Sequence, residues 1–214
     1  MVPNRKKSEF PIAVLISGRG SNLISLHQSI VRGETRGRIA CVVSSHPRAK
    51  GLVYAREQNI ATIALPPEVM ASEEKFSDAL LSCFETYRIK LVVLAGFLKK
   101  IPPAVVNAYH NRILNIHPAL LPAFGGKGMY GHYVHEAVLA YGCKVSGATV
   151  HVVTNEYDAG PPVLQQCVPV LDDDTPETLA QRVLQVEHQL LPRAVDLFAR
   201  GRVEIQGRRV RIKS

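Results

Sequence analysis

The sequence predicts an α/β protein with a mostly parallel sheet and helices on both faces, and three observations carry that reading. Short apolar runs of strand length alternate with longer segments whose apolar residues recur every three to four positions. The runs are nearly continuous instead of alternating with polar residues, as in strands buried on both faces. The connections are short and rich in glycine, serine and asparagine, as between the strands and helices of βαβ units.

The first run, Pro11-Ile12-Ala13-Val14-Leu15-Ile16, stops at Ser17-Gly18 and reads as a buried strand. A helix should follow, capped by Ser21 or Asn22, with Leu23, Leu26 and Ile30 on one face. The pattern repeats as a strand over 39–43, a helix over 48–58 and a strand over 60–65. The spacing of Phe76, Leu80 and Phe84 predicts a helix over 72–87, and a strand over 91–94 ends at Ala95-Gly96. In the second half, a strand over 112–116 runs into His117-Pro118, and the glycine-rich stretch 121–131 reads as a loop near the sheet edge. Strands over 146–153 and 163–170 flank a loop at 155–161. A long helix opens at Thr175, with Pro176 at its first position and Asp172, Asp173 and Asp174 near its positive end. It is expected to stop at about Leu191, before Pro192. The residues around Gly207 read as a short hairpin. There is neither a repeat nor a linker, so residues 1–214 are read as one domain with loosely ordered ends at 1–9 and 207–214.

At 46% apolar and 21% charged, the chain can bury a real core, which excludes disorder over most of its length. No apolar run approaches the roughly 18 residues of a membrane span. The basic first residues lead into Ser8-Glu9-Phe10-Pro11 without an apolar segment, so no secretory signal is expected. Cys41, Cys83, Cys143 and Cys167 lie far apart, against a zinc site or disulfide scaffold and in favour of buried thiols in a reducing, cytoplasmic setting. The net charge of +8 is concentrated in residues 1–50 and 200–214, whereas 51–199 is slightly acidic. With no interleaving of aromatic and basic residues, a solvated basic surface or an anionic small substrate explains this charge, and neither a nucleic acid nor a membrane partner is expected.

Three sites could carry chemistry. Gly18-Arg19-Gly20-Ser21-Asn22, between strand and helix, offers backbone N–H groups and a helix amino terminus to an anion. It completes neither the P-loop nor the dinucleotide pattern, and an ordinary tight turn is the alternative. In Asn115-Ile116-His117-Pro118, positions i and i+2 of a strand face the same way, so an amide and an imidazole project side by side. Such a pair suits carbonyl chemistry, stabilising an oxyanion and moving a proton; a hydrogen-bonded core histidine is the alternative. Asp158 could orient an imidazole, or serve only its turn before Gly160. His151 reads as a packed strand residue. Neither H-E-x-x-H nor G-x-S-x-G occurs, so no metal and no serine hydrolase are expected.

These residues occur in a familiar order: Gly18-Arg19-Gly20-Ser21-Asn22-Leu23, Leu94-Ala95-Gly96-Phe97, Leu114-Asn115-Ile116-His117-Pro118-Ala119-Leu120-Leu121-Pro122, Gly147-Ala148-Thr149-Val150-His151 and Tyr157-Asp158-Ala159-Gly160-Pro161. In that order and spacing the chain resembles the folate-dependent formyltransferases from about Pro11 to Arg200. The resemblance implies the formyltransferase fold, a Rossmann-like sheet. The Gly-Ser-Asn loop points to the members that formylate glycinamide ribonucleotide in de novo purine synthesis. It implies that 10-formyltetrahydrofolate is the donor and that the amine attacks the formyl carbon directly, through a tetrahedral intermediate. Carried over residue by residue, Gly20, Ser21 and Asn22 would hold the ribonucleotide phosphate, with Glu187 a further ribonucleotide contact. Leu98, Lys99, Lys100, Ile101, Asn115, Tyr157 and Asp158 would contact the folate. Asn115 and His117 would stabilise the oxyanion, while Asp158 would support His117 and help move a proton to the leaving nitrogen.

Two stretches depart from the family pattern. Glu73-Glu74-Lys75 stands where an arginine toward the folate tail is usual, leaving Lys75 as the substitute cation. Phe124-Gly125-Gly126-Lys127-Gly128-Met129-Tyr130 replaces a Pro-Gly and His-rich stretch. Methionyl-tRNA formyltransferase and formyltetrahydrofolate deformylase resemble the chain at Asn115, His117 and Asp158, but the Gly-Ser-Asn loop is not expected of them. A silent folate- or nucleotide-binding module on the same fold is the remaining alternative. The implied partners are small molecules, with the chain a monomer or weak homodimer.

Overall fold

Strand order decides where a ligand can sit. The computed structural model describes residues 10–213. Strands β1 (Pro11–Ile16), β2 (Arg38–Ser44), β3 (Ala61–Ala64), β4 (Leu91–Leu94) and β5 (Ile113–His117) are parallel. Strands β6 (Val145–Val152) and β7 (Pro162–Pro169) follow, each antiparallel to its predecessor. The sheet order is β3-β2-β1-β4-β5-β6-β7. The winding direction reverses between β1 and β4, so the loops leaving those strands diverge and open a crevice.

Every residue of β1 is buried, because helices cover both faces. Ile12, Val14 and Ile16 face α1 (Ser21–Val31), α2 (Lys50–Glu57), α6 (His132–Tyr141) and α7 (Pro176–Ala199). Ala13 and Leu15 face α3 (Pro67–Met70), α4 (Glu73–Thr86) and α5 (Pro103–Ala108). The expected stripe of Phe76, Leu80 and Phe84 is buried on α4. Helices α3, α5 and α6 go beyond the elements that the sequence predicts. Among the described residues, no helix is long and apolar enough to cross a membrane.

Several expectations are corrected. The last long helix does not stop before Pro192 but runs through it to Ala199. A proline lacks the N–H that would bond the carbonyl four residues back. That carbonyl belongs to His188, and the Ser25 hydroxyl of α1 donates to it at 2.8 Å, so the helix continues without an orphaned acceptor. At its start, Thr175 and Thr178 cap each other reciprocally. Helix α1 is capped by Gly20 at φ 78°, not by Ser21 or Asn22, and no side chain bonds its first turn. The glycine-rich loop leaves from β5, an interior strand, and not from the sheet edge. Of the four thiols only Cys41 is buried, and Cys167 is exposed on the edge strand β7. The hairpin around Gly207 is present as β8 (Val203–Gln206) and β9 (Arg209–Ile212), so 209–212, expected to be loosely ordered, is a paired strand. The loose end expected at 1–9 lies outside the described residues.

Candidate active site

A cleft of about 670 Å³ opens at the strand reversal, lined by Ser17, Gly18 and Arg19 after β1, by Leu94 at the end of β4 and by Gly96 to Ile101 beyond it. Asn115 and His117, two residues apart on β5, both face it. Antiparallel pairing sets His151 of β6 directly opposite Asn115 and Thr149 opposite His117. Asn115 Nδ2 lies 3.1 Å from His151 Nε2. His151 Nδ1 is 3.0 Å from the Val152 carbonyl, which can only accept, so Nδ1 carries the hydrogen and Nε2 offers Asn115 a lone pair. By the same reasoning His117 Nε2 donates to the Phe124 carbonyl at 2.8 Å, leaving Nδ1 as the nitrogen that can take up a proton.

Asp158 joins the two imidazoles. Its carboxylate oxygens lie 3.4 Å from His151 Nε2 and 3.7 Å from His117 Nδ1. The Gly126 N–H donates to Oδ2 at 2.9 Å. Burial works to raise the Asp158 pKa. The nearby His151 and His117 and the Gly126 N–H outweigh it, and the net shift is downward. Burial lowers the His117 pKa, only partly opposed by the Asp158 charge, so His117 is a neutral base near pH 7. Asp158 sits at φ 51°, a left-handed conformation that Asp and Asn tolerate best among non-glycine residues. Its loop packs tightly on β6: a Cβ at Gly160 would come within 1.7 Å of the Val152 carbonyl oxygen. Two cations brace the loop. Arg208 Nη1 donates to the Ala159 carbonyl at 2.7 Å, and Lys100 Nζ lies 5.3 Å from the centre of the Tyr157 ring.

All seven residues expected to contact folate, Leu98, Lys99, Lys100, Ile101, Asn115, Tyr157 and Asp158, line this cleft. Gly20, Ser21, Asn22 and Glu187 do not. They continue from its Ser17–Arg19 edge along α1 to α7. There, Asn22 Nδ2 donates to Glu187 Oε2 at 2.6 Å. Both side chains are buried, and Asn22 Oδ1 has no hydrogen-bond partner within the described residues. Burial pushes the Glu187 carboxyl up to about 7, against the pull of the Asn22 hydrogen bond. Lys75 does not line the cleft. The sequence reading missed His151, which looks like any strand residue until the register of β5 and β6 is known. It also missed the Phe124 carbonyl and the Gly126 N–H, since backbone groups carry no residue signature. Among the described residues, no cluster of three or more His, Cys, Asp or Glu side chains is placed to hold a metal ion.

A strand-reversal cleft holding an amide, two imidazoles and a carboxylate defines a class, and the chain belongs to the formyl transferase family, whose model matches residues 10–195. Its relatives are more specific. It is 38% identical over 194 residues to the phosphoribosylglycinamide formyltransferase of Escherichia coli, covering 91% of this chain and 89% of that one. The chloroplastic phosphoribosylglycinamide formyltransferase of Arabidopsis thaliana is 42% identical over 94% of this chain and 68% of its own length. The crystal structure of glycinamide ribonucleotide transformylase 1 from Symbiobacterium toebii superposes with a TM-score of 0.91 at 42% identity, over 98% of this chain and 96% of that one.

Proposed function

We propose that the protein transfers the formyl group of 10-formyltetrahydrofolate to the amine of glycinamide ribonucleotide, with Asn115, His117, Asp158 and His151 at the reacting centre. One observation carries the reading: these four side chains converge on one cleft bordered by the β1–α1 loop. The folate would enter between Leu98–Ile101 and Tyr157, and the ribonucleotide phosphate would meet the free N–H groups at the start of α1. Glu187, with Asn22 Oδ1 beside it unpartnered, can accept hydrogen bonds from sugar hydroxyls.

The neutral amine attacks the formyl carbon, and the carbonyl electrons move onto its oxygen. The Asn115 N–H, held in place through His151, stabilises that oxyanion. Nδ1 of His117 takes the proton released by the attacking nitrogen, and the Asp158 carboxylate 3.7 Å away stabilises the imidazolium. When the oxyanion collapses, the bond to the folate nitrogen breaks and that nitrogen receives the proton.

Offering glycinamide ribonucleotide, methionyl-tRNA and water as competing acceptors tests the assignment. Formyl should pass to the ribonucleotide alone. Dominant transfer to tRNA or to water assigns the site to one of the other two formyl reactions instead.

A further inference from the structure

We infer that Cys41 and Cys83 form a dithiol that a small-molecule disulfide converts into a 41–83 disulfide, cross-linking α4 to β2. Their sulfurs lie 3.7 Å apart although the residues are 42 positions apart in sequence. A disulfide bond is about 2.05 Å long, so the sulfurs must close by roughly 1.6 Å, and Cys83 on α4 is the less buried of the two. Cys41 is fully buried in the core beneath α4 and cannot meet an oxidant directly.

The pair divides the labour of thiol exchange. The two sulfurs share a hydrogen bond, which favours a thiolate on the less buried Cys83, while that bond and burial keep Cys41 protonated. Cys83, accessible and the more acidic, is therefore the attacking sulfur. Its thiolate displaces one glutathione thiolate from oxidised glutathione, leaving a mixed disulfide. Cys41 then loses its proton and attacks the Cys83 sulfur, releasing the second glutathione as thiol. Two protein thiols are oxidised and one glutathione disulfide is reduced to two thiols. Neither cysteine lines the cleft, so the cross-link should leave formyl transfer intact. Closing a loop of this length stabilises chiefly by restricting the unfolded chain.

The full-length protein is incubated with oxidised glutathione, alkylated, unfolded and mapped by mass spectrometry. Cys167, exposed on β7, reports that the oxidant is active. The expected result is a peptide linked through Cys41 and Cys83, with Tm raised by roughly 5–10 °C and turnover within about twofold of the reduced protein, all reversed by dithiothreitol. In Cys83→Ser, Cys41 should stay a free thiol and Tm should not rise. Glutathione on Cys167 while Cys41 and Cys83 remain thiols overturns the inference. So does glutathione that stays on Cys83 without passing to Cys41, or a cross-link that lowers Tm.

Discussion

Asn115 carries no charge, so Asn115→Ala should leave the fold and ribonucleotide binding nearly intact while removing an oxyanion donor. Single-turnover formyl transfer with both substrates saturating should slow on the order of 100- to 1000-fold. Asp158→Asn is a clean partner, because Asn is at home at φ 51° and only the charge facing the two imidazoles is lost. A large fall in turnover with little change in folate affinity is expected; rates within threefold of wild type for both variants would show these side chains to be structural. Glu187 makes a separate prediction about pH. Its folded pKa of about 7 lies above that of an exposed carboxyl, so the stability it contributes is full below about pH 4 and is lost as pH rises through 7. The loss should approach roughly 3 kcal/mol above pH 8. Urea titrations at pH 5 and 8 should show wild type losing stability relative to Glu187→Gln, while the variant binds glycinamide ribonucleotide more weakly; parallel pH profiles would contradict the buried acid.

The turn between β1 and α1 shows how an element constrains its own test. Gly20 is at φ 78°, and a Cβ there would come within 2.9 Å of Gly51 Cα at the start of α2. Gly20→Val should therefore lower Tm substantially as well as weaken ribonucleotide binding, whereas Asn22→Ala should weaken binding with a much smaller loss of Tm. Equal Tm for Gly20→Val and wild type would mean that the turn tolerates a side chain. At the other end of the chain, the β8–β9 hairpin reaches the proposed reacting centre through Arg208 and the Ala159 carbonyl, one residue beyond Asp158. Arg208→Ala should reduce kcat several-fold with KM little changed, and Arg208→Lys should recover part of it. In an Asp158→Asn background the same change should do nothing more, because its effect passes through that carboxylate. An equal loss in both backgrounds would place Arg208 elsewhere in the reaction.

Across the whole molecule, what the sequence made legible was local. The apolar run of β1 and the i, i+2 placement of Asn115 and His117 need only strand geometry. What it hid depended on distant partners: the passage of α7 through Pro192 needs Ser25, more than 160 residues earlier, and the role of His151 needs the β5–β6 register. The same distance shapes the proposed ribonucleotide site, which joins α1 to α7. Saturating glycinamide ribonucleotide, at about 100 times Kd, should stabilise the protein by roughly 2.7 kcal/mol and raise Tm by about 5–10 °C. Asn22→Ala should lose most of that rise at the same ligand concentration, and an undiminished rise would move the site away from α1. Four contacts hold the two helical regions together: Asn22 to Glu187, Ser25 to the His188 carbonyl, Thr35 to the Pro192 carbonyl and the Arg36 N–H to Asp196. Synthesis runs from the amino terminus, so a nascent chain has made every residue lining the cleft by Asp158, while the proposed phosphate loop still lacks Glu187. During translation the donor's cleft can therefore form well before the acceptor's site. On the proposed assignment, the ribonucleotide would gain its full set of contacts only once α7 has left the ribosome and docked on α1.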